Sequence, residues 1–312
     1  MSKLLEFIKN IIPFNNRTEM PKVLYVIKVV LTFYFLKVGT EILSGVFTVL
    51  IHFPFGMNPL KGEVFTDPAI VEAMCIFGYL IMVSGALLYW KLIQKKTLAE
   101  LGFTKNFGTY FIGIGAGVVI IGLAVGFGVL SGSVEYNGLF ENANYPAIVL
   151  ACGTYICQGA FEEILCRGVV LQLIKKKINV PVAIIVNTVL FILPHLSAMD
   201  EDAPVEVFVG IVNMTLLSVL FSLITIRLKS LWAACGIHAI WNYILYNIFG
   251  LALSGNDVQY SVFSMQNVGS NILNGGEFGI EASVITTGVL AAALGMCLAL
   301  VIRNAKKSRI CC

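Results

Sequence analysis

The chain of 312 residues is long enough for two soluble domains, yet 58% of it is apolar and only 12% is charged, with a mean hydropathy of +0.87. That excess must be buried in a bilayer, which excludes a soluble globular pair, a disordered hub and a disulfide-stapled secreted scaffold. A formal net charge of only +3 gives nucleic acid nothing to hold.

Residues 1–22 read as a cytoplasmic lead-in, either an amphipathic helix or a frayed tail. Leu4, Leu5, Phe7, Ile8, Ile11 and Ile12 recur near helical spacing beside Lys3 and Lys9, which suits a short helix lying on a membrane surface. Eight segments then follow that are long and apolar enough to cross ~30 Å of hydrocarbon at ~1.5 Å per residue. They fall at 23–50, 69–92, 107–131, 145–174, 180–196, 204–226, 231–250 and 280–302. The expected fold is an all-α polytopic membrane protein of about eight transmembrane helices. The first span is too long, and lacks the small-residue site, for a removable signal peptide, so it reads as an uncleaved anchor.

Cations set the orientation, because Lys and Arg accumulate in cytoplasmic segments. Lys3, Lys9, Arg17 and Lys22 precede the first span; Lys91, Lys95, Lys96 and Lys105 flank the second connection, and Lys175, Lys176 and Lys177 the fourth. Arg227 and Lys229 follow the sixth span, and Arg303, Lys306, Lys307 and Arg309 end the chain. The opposite connections hold Lys61 and acids such as Asp200, Glu201 and Asp202. Both termini are expected to be cytoplasmic. The organisation is the lead-in, three helices over 23–144, a core over 145–250, an external loop over 251–279, and a last span and tail over 280–312.

Cys75, Cys152, Cys157, Cys166, Cys235 and Cys297 fall inside spans and read as small packing residues; Cys311 and Cys312 end the tail. Gly113, Gly115, Gly117, Gly122, Gly126 and Gly128 sit inside an apolar helix, where they read as packing sites for close helix approach rather than a phosphate loop. The run Gly275, Gly276, Glu277, Phe278, Gly279 reads as a turn into the last span, and it lacks the Lys and Ser/Thr of a phosphate loop. No nucleotide site is expected.

Polar groups at membrane depth are few: Lys37 and Glu41, then Glu162, Glu163 and Arg167, then His195, then His238 and Asn242. Each acid or Arg at a helix centre costs roughly 2.5–3.5 kcal/mol, so these groups require partners or water. Residues four apart share a helix face. Glu163 and Arg167 therefore pair, which leaves Glu162 about 100° away and free to face a cavity. Phe191 and His195 share a face, as do His238 and Asn242. A partly desolvated carboxylate can take a proton from water, one His can hold that water, and the other His with an Asn amide can donate to an oxyanion. Glu162, His195 and His238 could equally be three ligands of a divalent metal such as zinc. Spacing does not decide between the two. His52, near the membrane surface, is given no role.

The sequences Glu162-Glu163-Ile164-Leu165-Cys166-Arg167, Phe191-Ile192-Leu193-Pro194-His195 and His238-Ala239-Ile240-Trp241-Asn242 resemble, in order, the E-E-x-x-x-R, F-x-x-x-H and H-x-x-x-N motifs of the CPBP family. That family groups CAAX proteases with bacteriocin-processing and self-immunity membrane proteins, often called Abi. The likeness covers about a third of the chain, and Lys96 to Gly102 resembles the lead-in of bacterial members. It implies an all-helical intramembrane endopeptidase acting on a membrane-associated or lipidated peptide in the bilayer, with a cavity opening to the cytoplasmic side. Carried over, Glu162 is the general base, His195 its partner, His238 and Asn242 the oxyanion site, and Glu163, Arg167 and Phe191 supporting residues. The family carries both glutamate-type and metalloprotease labels, so the metal stays open. The short loops look bacterial, which suggests a plasma-membrane protein.

Pro194 should kink or end the fifth helix. Counted from the cytoplasmic cations, Glu162 lies ~20 Å deep, His195 ~24 Å and His238 ~14 Å. Convergence requires a kink at Pro194 or protrusion of the fourth and fifth helices, with Leu171 to Lys177 as the emerging end. Two other readings compete: a non-proteolytic immunity or scaffold protein, and an ion-coupled transporter suggested by Lys37, Glu41, Asn187 and Asn213.

Overall fold

The computed structural model describes residues 3–141, 143–199 and 203–310, with side chains from Glu6 to Arg303; Asp200, Glu201 and Asp202, and the terminal Cys311 and Cys312, lie outside the described residues. The architecture is all-α. After α1 (Lys3–Ile11) come α2 (Lys22–Leu50), α3 (Pro68–Leu88, continuing as a π segment to Ile93), the short α4 (Leu98–Leu101) and α5 (Gly108–Leu130). Strand β1 (Val134–Leu139) precedes α6 (Tyr145–Glu163), which runs through a π segment, Ile164–Val170, into α7 (Leu171–Lys177). Then follow α8 (Val180–Ile192), α9 (Pro204–Leu228), α10 (Trp232–Tyr243, with a π segment to Ile248), strand β2 (Phe263–Asn267) and α11 (Val284–Ile310).

Seven helices among the described residues are long and apolar enough to cross a membrane. The eighth expected span, 231–250, departs from the others: it is a 12-residue α-helix followed by five π residues, buried along most of its length. Its apolarity serves protein packing rather than lipid contact. The 251–279 connection is also more ordered than a plain loop, because β2 pairs antiparallel with β1, Val134 opposite Asn267.

The lead-in is tied to the bundle rather than free. Lys28 donates to Asn15 Oδ1 at 2.6 Å and to the Arg17 carbonyl at 2.9 Å, and Tyr89 Oη donates to the Pro13 carbonyl at 2.7 Å. At the basic end, Thr97 and Glu100 form a capping box that starts α4, and the Thr97 backbone N–H holds the Glu100 carboxyl below its ordinary value. On the opposite face, Tyr260 and Thr154 both donate to the Glu72 carboxylate, binding the long loop to α3 and α6. Burial, then that carboxylate, pushes the Tyr260 phenol up.

Helix α6 lies between α3 and α10, and its buried π segment is also packed by α2 and α8. Glycines permit the tightest approaches. A Cβ on Gly113 would lie 2.2 Å from the Ala233 carbonyl oxygen, and one on Gly236 2.3 Å from that of Tyr110, so α5 and α10 are in backbone contact. Gly117 and Gly128 pack too, but Gly115, Gly122 and Gly126 meet nothing within 4 Å; the packing role expected of all six holds for three. Gly113→Ala should therefore destabilise by about 1–3 kcal/mol through overpacking, while Gly115→Ala should be neutral or stabilising by up to about 1 kcal/mol. Thermal unfolding in detergent, followed by circular dichroism, separates the two.

Candidate active site

Depth along the bundle places the site. Leu231, at the head of α10, donates its N–H to the Gly102 carbonyl at 2.9 Å, and a Cβ on Gly168 would lie 2.8 Å from Leu101. The start of α10 is thus level with Gly168, so α7 extends beyond it toward the basic face. From that level His238 and Glu162 are each about six residues away, or ~9 Å. Glu162 and His238 therefore lie at about the same depth, and Leu171–Lys177 continues past the start of α10. Helix α8 ends at Ile192 and passes into a 3-10 turn, Leu193–Ala198, that contains Pro194 and His195. A proline cannot donate to the ladder, which accounts for the change of helix type.

The Glu163–Arg167 pair is fully buried, with Arg167 Nη1 donating to Glu163 Oε1 at 2.9 Å. Arg167 also donates to the Ser218 carbonyl at 3.3 Å, and its guanidinium lies 4.5 Å from the Phe191 ring and 5.2 Å from the Phe221 ring. His238 joins this group: its Nδ1 is 3.0 Å from Glu163 Oε1. A carboxylate only accepts, so Nδ1 carries the proton, and Nε2 points toward Glu162 Oε2 at 3.8 Å. Each ring nitrogen of His238 therefore faces a carboxylate.

Glu162 is turned away from the buried pair, its side chain 26% exposed. Two cavities meet at it. One, of about 650 Å³, is bounded by α2, α3, α6 and the end of α8; the other, of about 250 Å³, is bounded by α6, α9, α10 and the loop around Ser254. Glu162, Phe191, Pro194 and His195 line both, and His238 and Asn242 line the smaller. His195 Nδ1 is 2.8 Å from the Phe191 carbonyl, so that nitrogen is the donor and, in the neutral ring, Nε2 carries the lone pair. The four expected catalytic side chains thus line the smaller cavity and Phe191 lines both, while Glu163 and Arg167 border neither and stand behind His238 and Phe191.

Two neighbours were not singled out in the sequence. Gln158 accepts from Asn242 Nδ2 at 3.3 Å and approaches Glu162 Oε1 at 3.5 Å, linking amide to carboxylate. Its signal was its position, four residues before Glu162 on the same face. Glu281 accepts from Trp241 Nε1 at 2.8 Å and from the Ser254 N–H at 2.8 Å, fastening the loop over the smaller cavity. It comes from a distant segment, and no local spacing marks it.

Other expectations resolve differently. The walls of the larger cavity run from Glu162 to Thr48 and Val71, toward the face opposite the basic helix ends. Phe33, Met82 and Cys166 carry the same lining past Glu162 toward the basic ends. Among the described residues no three His, Cys, Asp or Glu side chains are grouped closely enough to hold a metal ion; Glu162, His195 and His238 share the lining of the smaller cavity. His52 is buried and satisfied, Nδ1 donating to the Thr48 carbonyl at 2.6 Å and Nε2 accepting from Phe65 at 3.2 Å. Asn213 donates to the Glu281 and Ser283 carbonyls, and Asn187 to Ser222, so both knit helices together instead of lining an ion path. Lys37 and Glu41 pair with each other, as their spacing predicts.

Fold and site together define a polytopic α-helical membrane protein with a carboxylate, two imidazoles and an amide around an internal cavity. Residues 144–244 match the family described as Rce1-like, type II CAAX prenyl endopeptidase, in agreement with the CPBP resemblance. The matched segment, about a third of the chain, contains every one of the motif residues, and the family is one of membrane endopeptidases. No curated protein and no solved structure gives a significant match to the chain.

Proposed function

We propose that the chain is an intramembrane endopeptidase that hydrolyses a membrane-associated or lipidated peptide, CAAX-like or leader-like, with Glu162 as the base that activates water. The observation that carries this reading is the junction itself: Glu162 and His195 border both cavities, and His238 Nε2 stands 3.8 Å from Glu162. Water held between Glu162 and the Nε2 lone pair of His195 gives a proton to Glu162 as its oxygen attacks the scissile carbonyl. The developing oxyanion takes hydrogen bonds from the second N–H of Asn242 Nδ2 and from His238 Nε2–H in its imidazolium form. Glu162 then passes the proton to the departing amine, and the C–N bond breaks. Glu163 and Arg167 position His238 and stay outside the proton path. Cation placement supports cytoplasmic termini.

The test is hydrolysis in heavy-oxygen water by the purified protein in liposomes, offered a pool of lipidated and unlipidated membrane peptides. The expected result is a new carboxyl terminus carrying one heavy oxygen, with the yield falling roughly 10²–10⁴-fold in His195→Ala. A pool that stays intact with the wild-type protein would reject the peptidase reading in favour of a scaffold.

A further inference from the structure

Hydrolysis at Glu162 leaves the rest of the larger cavity without a task. A peptide drawn into a site walled from water must find partners for its main-chain N–H and C=O groups, since each unsatisfied group is costly there. Most of the cavity wall is apolar, with Phe33, Met74, Met82 and Leu165 among its residues. The exception is one face of α2, where Lys37, Glu41, Ser44 and Thr48 follow one another at spacings of four, three and four and all border the cavity.

Helix contacts place this stripe across from Glu162. A Cβ on Gly153 of α6 would lie 2.9 Å from Ile76 of α3, and one on Gly85 of α3 2.7 Å from Thr40 of α2. Glu162 is nine residues beyond Gly153 and Gly85 nine beyond Ile76, both running in the same direction, so Glu162 is level with Thr40 and Glu41. From there the stripe continues toward the face opposite the basic ends.

Resting on the peptidase reading, we propose that Lys37, Glu41, Ser44 and Thr48 form a subsite that binds the main chain of an extended peptide on one flank of the scissile bond. Lys37 gives one N–H to Glu41 and keeps two to donate; Glu41, its side chain 41% exposed, keeps an oxygen to accept. The Thr48 hydroxyl donates to the Ser44 carbonyl at 3.0 Å and retains its lone pairs. From Lys37 to Thr48 the stripe spans ~16 Å, the length of about five extended residues. Because its partners are side chains addressing backbone groups, it sets how much peptide is bound and is indifferent to which side chains that peptide carries.

The experiment measures binding of a nested series of peptides, lengthened one residue at a time on either flank, to Glu162→Gln protein in liposomes, and kcat/KM of the same series with otherwise wild-type protein. Affinity should tighten with length on one flank and level off after about five residues. Lys37→Met/Glu41→Gln, which removes both charges together, should weaken the long peptides roughly ten- to a hundredfold and leave the shortest unchanged. Thr48→Val, of equal shape, should affect only the longest. Length-dependent tightening that survives in the double variant would overturn the subsite. Stripe-dependent binding without hydrolysis by the wild type would keep the subsite and reject the peptidase.

Discussion

Glu162→Gln is expected to lower kcat/KM for peptide hydrolysis by roughly 10²–10⁴-fold while leaving the thermal unfolding midpoint essentially unmoved. The two halves of this result have separate causes. An amide cannot accept a proton from water at neutral pH, so the step that generates the nucleophile is lost. Stability should hold because the carboxylate is partly exposed, its contact with Gln158 is long at 3.5 Å, and Gln has the same shape. Surface substitutions free of buried partners stay within about 0.5 kcal/mol, and Glu162 is closer to that case than Glu163 is. Steady-state kinetics beside thermal scans of the same preparations decide the matter. A variant that unfolds early would mean that Glu162 is structural, and one that keeps the wild-type rate would remove it from the proton path.

The contrast between Glu162 and Glu163 was legible in sequence because it is local. Two adjacent residues on a helix point about 100° apart, and only Glu163 has a cation one turn away. The spans were legible for the same kind of reason, each being a continuous apolar run. What could not be read was which helices touch. The contact of His238 with Glu163 joins residues 75 positions apart and depends on how deep α10 starts, which is fixed by Gly102, Gly168 and Leu231 meeting at one level. Apolarity alone also did not reveal that α10 is enclosed by other helices rather than facing lipid, because both surroundings select apolar side chains. Glu281 and Ser254 had no visible pattern, because a loop placed over a cavity carries no period.

The largest stability effect should come from the buried pair, and a double-mutant cycle on it separates charge balance from orientation. Glu163→Leu leaves the Arg167 guanidinium buried with only the Ser218 carbonyl and two aromatic faces as partners, and should cost about 3–5 kcal/mol. Arg167→Met leaves a carboxylate that still has His238 at 3.0 Å, so its cost should fall at the lower end of that range. Removing both together takes the uncompensated charge away, and Glu163→Leu/Arg167→Met should recover most of the loss, falling short of the sum of the single effects by several kcal/mol. Activity should not recover with it. His238 would then have no acceptor at Nδ1, its ring would no longer be held with Nε2 toward Glu162, and kcat should stay low in the refolded double variant. Unfolding midpoints and kcat measured on all four proteins test both halves. Additive losses in stability would show that the two side chains act independently, and restored turnover in the double variant would show that Glu163 has no part in aiming the imidazole.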